Sequence, residues 1–126
     1  ALALEAIDII INEKMIENVR RLEPIFMGGL KKFEELDHIG EARGVGLMGA
    51  LEMVQDKKSK KSFDGSISIG ERVANKCIEN GLICRPLGPS IVLCPPFITS
   101  DDEMEFIFDT LDKTLKKVFS EVKSLI

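Results

Sequence analysis

A single histidine, His38, stands in this chain of 126 residues. Metal sites built from nitrogen and sulfur need several ligands at defined spacing, and no second histidine or clustered thiols are there to join it. His38 follows Glu34-Glu35-Leu36-Asp37, which fits a helix end, where a cation is mildly favoured. Cysteine is scarce too. Cys77, Cys84 and Cys94 are odd in number, irregular in spacing and set among apolar neighbours. That pattern predicts buried thiols in a reducing compartment, with neither a disulfide nor a zinc site. No apolar run reaches the length of a membrane span. Neither a signal peptide nor a transit peptide is visible. An initiator methionine is also missing, and the chain opens mid-pattern at Ala1-Leu2-Ala3-Leu4, as if cut from something longer. Positive charge is in deficit: the net charge of −4 argues against a surface for nucleic acid or another polyanion. The one basic run, Lys57-Lys58-Ser59-Lys60-Lys61, lies between Asp56 and Asp64 without interleaved aromatics and reads as a solvated loop.

What the chain does have is enough apolar residue for a core. It is 44% apolar and 30% charged, which excludes disorder, and its length suits one domain. Residues 1–36 carry helical spacing through Leu2, Ala6, Ile9 and Ile10, then Met15, Ile16, Val19, Leu22, Phe26, Leu30 and Phe33. Asn12 marks a break between two helices, and Pro24 should kink the second. From Ile39 to Val54 the period becomes two, which predicts strands over 39–54. A charged loop, 55–65, precedes a helix over 67–80 that Asn80-Gly81 would stop. Leu82–Arg85 and Ile91–Cys94 read as a strand pair over 82–94, around a Pro-Leu-Gly-Pro-Ser turn. A terminal helix runs over 100–122. Ser100 and Glu103 fit a capping box, and Asp101 and Asp102 suit the positive end of its dipole. Its buried face would be Met104, Ile107, Phe108, Leu111, Leu115, Val118, Phe119 and Val122. The fold class expected is α+β, a small and mainly antiparallel sheet with helices on one side.

Two motifs compete for function. Gly44-Val45-Gly46-Leu47-Met48-Gly49 matches G-x-G-x-x-G, but polar residues precede it and strand-like alternation follows. The dinucleotide fingerprint requires a buried strand before it and a helix after it. The context therefore favours a bent or bulged strand in which glycine permits close backbone approach. The second motif is "GLICRPLGPSIVLCPPF", residues 81–97. One permanent cation, Arg85, interrupts an apolar run. It is either a strand-end arginine with its stem on the core, or a planar fork aimed by a stiff turn at a carboxylate or phosphate. Pro86, Gly88 and Pro89 supply that stiffness. The residues alone leave both readings open.

The ordered segments "ARGVGLMGALEMVQDK" and "GLICRPLGPSIVLCPPFITSDDE", followed by an amphipathic helix, resemble the C-terminal domain of class III aminotransferases. These are pyridoxal-phosphate enzymes of fold type I, and the likeness is nearest to the ω-amino acid–pyruvate transaminase branch. It runs over nearly the whole chain. The resemblance implies that Arg85 is the substrate-binding residue. It would pair with the substrate carboxylate and swing away when a substrate has none. It also implies a cytoplasmic homodimer that moves an amino group from a small-molecule donor to a keto acid such as pyruvate. The Schiff-base lysine and the aspartate on the pyridine nitrogen belong to the large domain in this family. No catalytic, cofactor-binding or metal residue is therefore assigned here, and the isolated fragment is expected to be inactive. Acetylornithine-type enzymes carry an arginine in an "LRF-x-PP" pattern, where this chain has the uncharged Ile91-Val92-Leu93-Cys94. Two alternatives stand beside the main reading: a diaminopelargonate-forming aminotransferase of biotin synthesis, and a non-catalytic α+β module that uses Arg85 to hold an anion. Met48, Leu82, Cys84, Leu87 and Leu93 are expected to pack the sheet or wall the cleft.

Overall fold

The computed structural model describes residues 1–126. Helices α1 (Leu2–Asn12) and α2 (Met15–Lys32) lead through a 3-10 turn, Phe33–Glu35, into strands β1 (Ile39–Val45) and β2 (Met48–Met53). A second 3-10 turn, Gly65–Ile67, opens helix α3 (Ile69–Glu79). Strands β3 (Arg85–Leu87) and β4 (Ser90–Leu93) and the long helix α4 (Asp101–Val122) complete the chain. The four strands form one antiparallel sheet in the order β1-β2-β4-β3. Helices α2, α3 and α4 cover one face of it. The α+β expectation holds.

Alternation along the strands decides which face is covered. Gly49, Leu51 and Met53 of β2 point inward with Ile91 and Leu93 of β4, and all are buried. They meet Leu22, Phe26 and Leu30 from α2 and Leu111, Leu115 and Val118 from α4 in a single core. Each such side chain contributes about 1.5–3 kcal/mol by leaving water. Strand β1 breaks its alternation once: the register shifts between Ile39 and Glu41, so Ile39 and Ala42 both reach the core. The irregularity is centred on Gly40, where Val54 occupies the space a Cβ would need.

The three glycines of the G-x-G-x-x-G match belong to the β1–β2 hairpin, and a strand follows them. Gly46 has φ +57° at the first position of the two-residue loop, a conformation that suits glycine. Gly44 and Gly49 face each other across the ladder, and Gly49 lies against Leu30 and Phe26. A tight hairpin against a helix needs these glycines, and no helix N-terminus stands there to meet a pyrophosphate.

Several expectations need correction. Helix α1 has no buried residue: Leu2 is 88% exposed and Ile11 65%. Its apolar stripe exists, but no element of this chain packs over it. Pro24, expected to kink α2, lies inside it, and the helix runs on through it as one element. The proline is exposed, so water can reach the carbonyl of Arg20 that loses its usual intrahelical donor. Leu82, Ile83 and Cys84 are not strand. The strand begins at Arg85, and the turn is the two residues Gly88 and Pro89. Ile107 and Phe108 are only half-buried. His38 does not stand at the helix end, because the helical segment stops at Glu35. It is buried, its ring packs edge-on to Phe119 at 5.1 Å, and its Nδ1 donates to the Val54 carbonyl at 3.1 Å. Cys94 is exposed, because it follows the last paired residue of β4 on the uncovered side, whereas Cys77 and Cys84 are buried.

Candidate functional site

The arginines separate by what holds them. Arg21 is bidentate on Asp101, at 2.8 and 3.1 Å. Arg43 lies 2.9 Å from Glu52 and 3.3 Å from Glu41, which raises its pKa, chiefly through the Glu52 hydrogen bond. Arg72 donates to the Ile67 carbonyl at 2.6 Å. Arg85 is exposed and has no carboxylate partner in the chain, a condition it shares with Arg20 on α2 and with Arg72 on α3, and of these Arg72 is already held by the Ile67 carbonyl. An unpaired guanidinium keeps its full planar fork available to an incoming anion.

Local structure explains where that fork sits. Strand β3 lies at the sheet edge, the position at which a proline such as Pro86 is tolerated, since it cannot donate to a ladder on both sides. Side chains alternate along the strand. Cys84 is buried, and Pro86 pairs with the core residue Ile91, so Arg85 points to the uncovered face. The registers place Arg43, Ala50, Val92 and Arg85 in one row across all four strands. The two arginines are thus about 14 Å apart at the backbone, three strand spacings. Glutamates neutralise Arg43, so Arg85 is the cation of this face with no carboxylate beside it. Around it the surface is apolar: Ile83 is 85% exposed and Leu87 62%. Met48 lies on the same face and is also exposed, whereas Leu82, Cys84 and Leu93 belong to the core.

The segment leading into β3 is held from below. The Leu82 amide bonds the Cys77 carbonyl at 2.9 Å, and Gly81 takes φ +83° to end α3. Cys77 and Cys84 are both buried, and the neighbouring Cys77 thiol together with burial pushes the Cys84 thiol up. Asn18 performs a similar service for the segment after β4, donating to the carbonyls of Phe97 at 2.6 Å and Thr99 at 3.4 Å.

Nothing within these residues makes a closed reaction site. One concavity, about 510 Å³, lies where the α1–α2 junction meets Phe97–Ser100, and Arg85 does not line it. A second, about 300 Å³, lies under Pro86, Gly88 and Pro89 beside Ser68 and Glu71, and Arg85 does not line it. No His, Cys, Asp and Glu grouping could hold a metal. The residues present do not fit pyridoxal phosphate by themselves. Every lysine is exposed except Lys76, which is half-buried and paired with Glu79 at 2.5 Å. Sequence reasoning singled out Arg85 but passed over Arg43, because only strand register shows that the two share a row.

Comparison with known proteins bears on this geometry. Residues 1–115 match the family model of class-III aminotransferases. An adenosylmethionine-8-amino-7-oxononanoate aminotransferase from Methanocaldococcus jannaschii is 36% identical over 115 residues, which is 91% of this chain and 25% of that protein. The crystal structure of an omega-transferase from Vibrio fluvialis JS17 superimposes with a TM-score of 0.95 at 56% identity, over 97% of this chain and 29% of the other. An omega-aminotransferase from Paracoccus denitrificans gives 0.93 at 56%, over 95% and 27%. The chain thus spans about a quarter of the length of the curated relatives it matches. A family match over most of its residues, and a fold that superimposes on two transaminases, place this chain in the class III aminotransferases.

Proposed function

We propose that the chain is the C-terminal small domain of a pyridoxal-phosphate-dependent transaminase. In this reading the full-length enzyme moves an amino group from an amine or ω-amino acid to a keto acid such as pyruvate. Arg85 receives the carboxylate. The observation that carries this reading is an exposed, unpaired arginine held at a sheet edge by a stiff turn and surrounded by apolar side chains. A carboxylate on an apolar body complements such a surface. A charge-assisted bidentate pair in a partly dry setting exceeds an ordinary hydrogen bond.

The cofactor would be held by the remainder of the enzyme, since no lysine here is placed for it. A bare apolar helix α1 agrees with a chain that works against further protein. The assembly proposed is a homodimer, and the compartment cytoplasmic, in keeping with three unpaired thiols. The diaminopelargonate-forming alternative draws on the curated relatives at 36% and 34% identity, whereas the omega-transferase and omega-aminotransferase structures reach 56%.

The test is turnover by the full-length enzyme. Purified protein given a simple amine and pyruvate should form alanine. No alanine with any amine or ω-amino acid, together with amino transfer from adenosylmethionine to 8-amino-7-oxononanoate, would replace this reading with the alternative.

A further inference from the structure

Gly70 is the second residue of α3, where glycine weakens a helix relative to alanine. Its surroundings explain the choice. A Cβ at Gly70 would run into the carbonyl oxygen of Gly88 and come within 3.4 Å of Gly88 C and the Ser90 oxygen. All these atoms are backbone, in the β3–β4 turn and the first residue of β4, so no flexible side chain could yield. On its other side the same turn is pinned by the Met53 amide, which donates to the Pro89 carbonyl at 3.0 Å. The Gly88-Pro89 loop is therefore clamped between the start of α3 and the end of β2. Ser68, with φ +50°, takes a left-handed conformation rare outside glycine to begin α3 there.

From this clamp we infer that Gly70 is a positioning residue for carboxylate recognition, acting through the β3–β4 turn on Arg85. The inference rests on the reading of Arg85 given above. Strand β3 has only three residues and one neighbour, so a push at Gly88 has little sheet to absorb it. Arg85 lies three residues upstream, about 10 Å along the strand. A shift of the turn tilts the strand and carries the guanidinium off line.

The experiment is a double-mutant cycle in the full-length enzyme with Gly70→Ala, Arg85→Ala and the pair. Single-turnover rates are read with an amino acid donor and with a matched amine that lacks the carboxylate. Gly70→Ala should lower the amino acid's specificity constant about ten- to a hundredfold, as expected for a misplacement of roughly 1 Å in a site. It should leave the amine within about twofold. On an Arg85→Ala background the same substitution should cost the amino acid almost nothing more, because coupled residues are not additive. Gly28→Ala is the control, a helix glycine with nothing within 4 Å of its added Cβ. It should show no split between the donors.

Equal losses for acid and amine, or additive losses in the pair, overturn the inference and leave Arg85 untouched. Failure of Arg85→Ala to discriminate acid from amine overturns the reading beneath it. If Gly70→Ala yields no folded enzyme, Gly88→Ala decides. That residue has φ +57° and open space around it, so a Cβ strains the turn without touching α3. A loss confined to acids then supports the inference, and no such loss refutes it.

Discussion

Replacing Arg85 by alanine in the full-length enzyme separates recognition from stability, because the structure assigns it little of the latter. Arg85 is exposed, holds no carboxylate of its own chain, and leaves the β3–β4 pairing to backbone atoms. Surface substitutions of this kind change stability by about 0.5 kcal/mol or less. The catalytic effect should be much larger. Loss of a charge-assisted bidentate pair costs about 2–4 kcal/mol in transition-state binding, or roughly thirty- to a thousandfold in specificity constant. Only substrates with a carboxylate incur it, pyruvate as acceptor included, so the half-reaction with a simple amine is spared. Arg85→Lys recovers part of the loss, since an ammonium keeps the charge but not the planar fork. Single-turnover rates with a matched amine and amino acid, alongside melting temperatures, make the measurement. Equal losses for both donors with a lowered melting temperature would show Arg85 to be a strand-end arginine whose stem covers the core.

Other expected outcomes follow from the packing. A thiol reagent applied to the native protein should label Cys94 alone and reach Cys77 and Cys84 only on unfolding, since those two are buried; prompt labelling of three thiols refutes the placement. Ser100→Ala should cost about 1 kcal/mol in denaturant unfolding, because Ser100 accepts from the Glu103 amide and the Glu103 carboxylate accepts from the Ser100 amide at 2.8 Å; no change would mean the box is idle. Glu34 accepts from Lys31 and from the Ala42 amide, each at 2.8 Å, and the Lys31 bond above all holds its pKa below the ordinary 4.5. Its folded form binds a proton less readily than the unfolded chain, so its contribution is complete above that value and fades as pH falls below it. Melting curves of the native protein and Glu34→Gln should therefore converge on acidification; a gap constant between about pH 7 and pH 3 contradicts this.

Local signals determined a good deal of this protein. The β1–β2 hairpin is written in the alternation of Leu47, Gly49, Leu51 and Met53. The end of α3 is written in Asn80-Gly81, and the start of α4 in the pairing of Ser100 with Glu103. Each depends on residues within one turn or one strand of each other, so propensity and hydrogen bonding nearby suffice. Arg85 was legible for a similar reason, as a lone charge in an apolar run beside two prolines. Longer-range facts were not. His38 is buried because Phe63 and Phe119, distant in sequence, close over it. Cys94 is exposed because β4 ends before it, and Leu82–Cys84 are not strand because no partner lies opposite them. Propensity says nothing about which strand will be a neighbour. The row from Arg43 to Arg85 and the contact of Gly70 with the Gly88-Pro89 turn come from strand order and helix docking. Those are properties of how elements meet, settled by the burial of a shared core, and no window of sequence contains both partners.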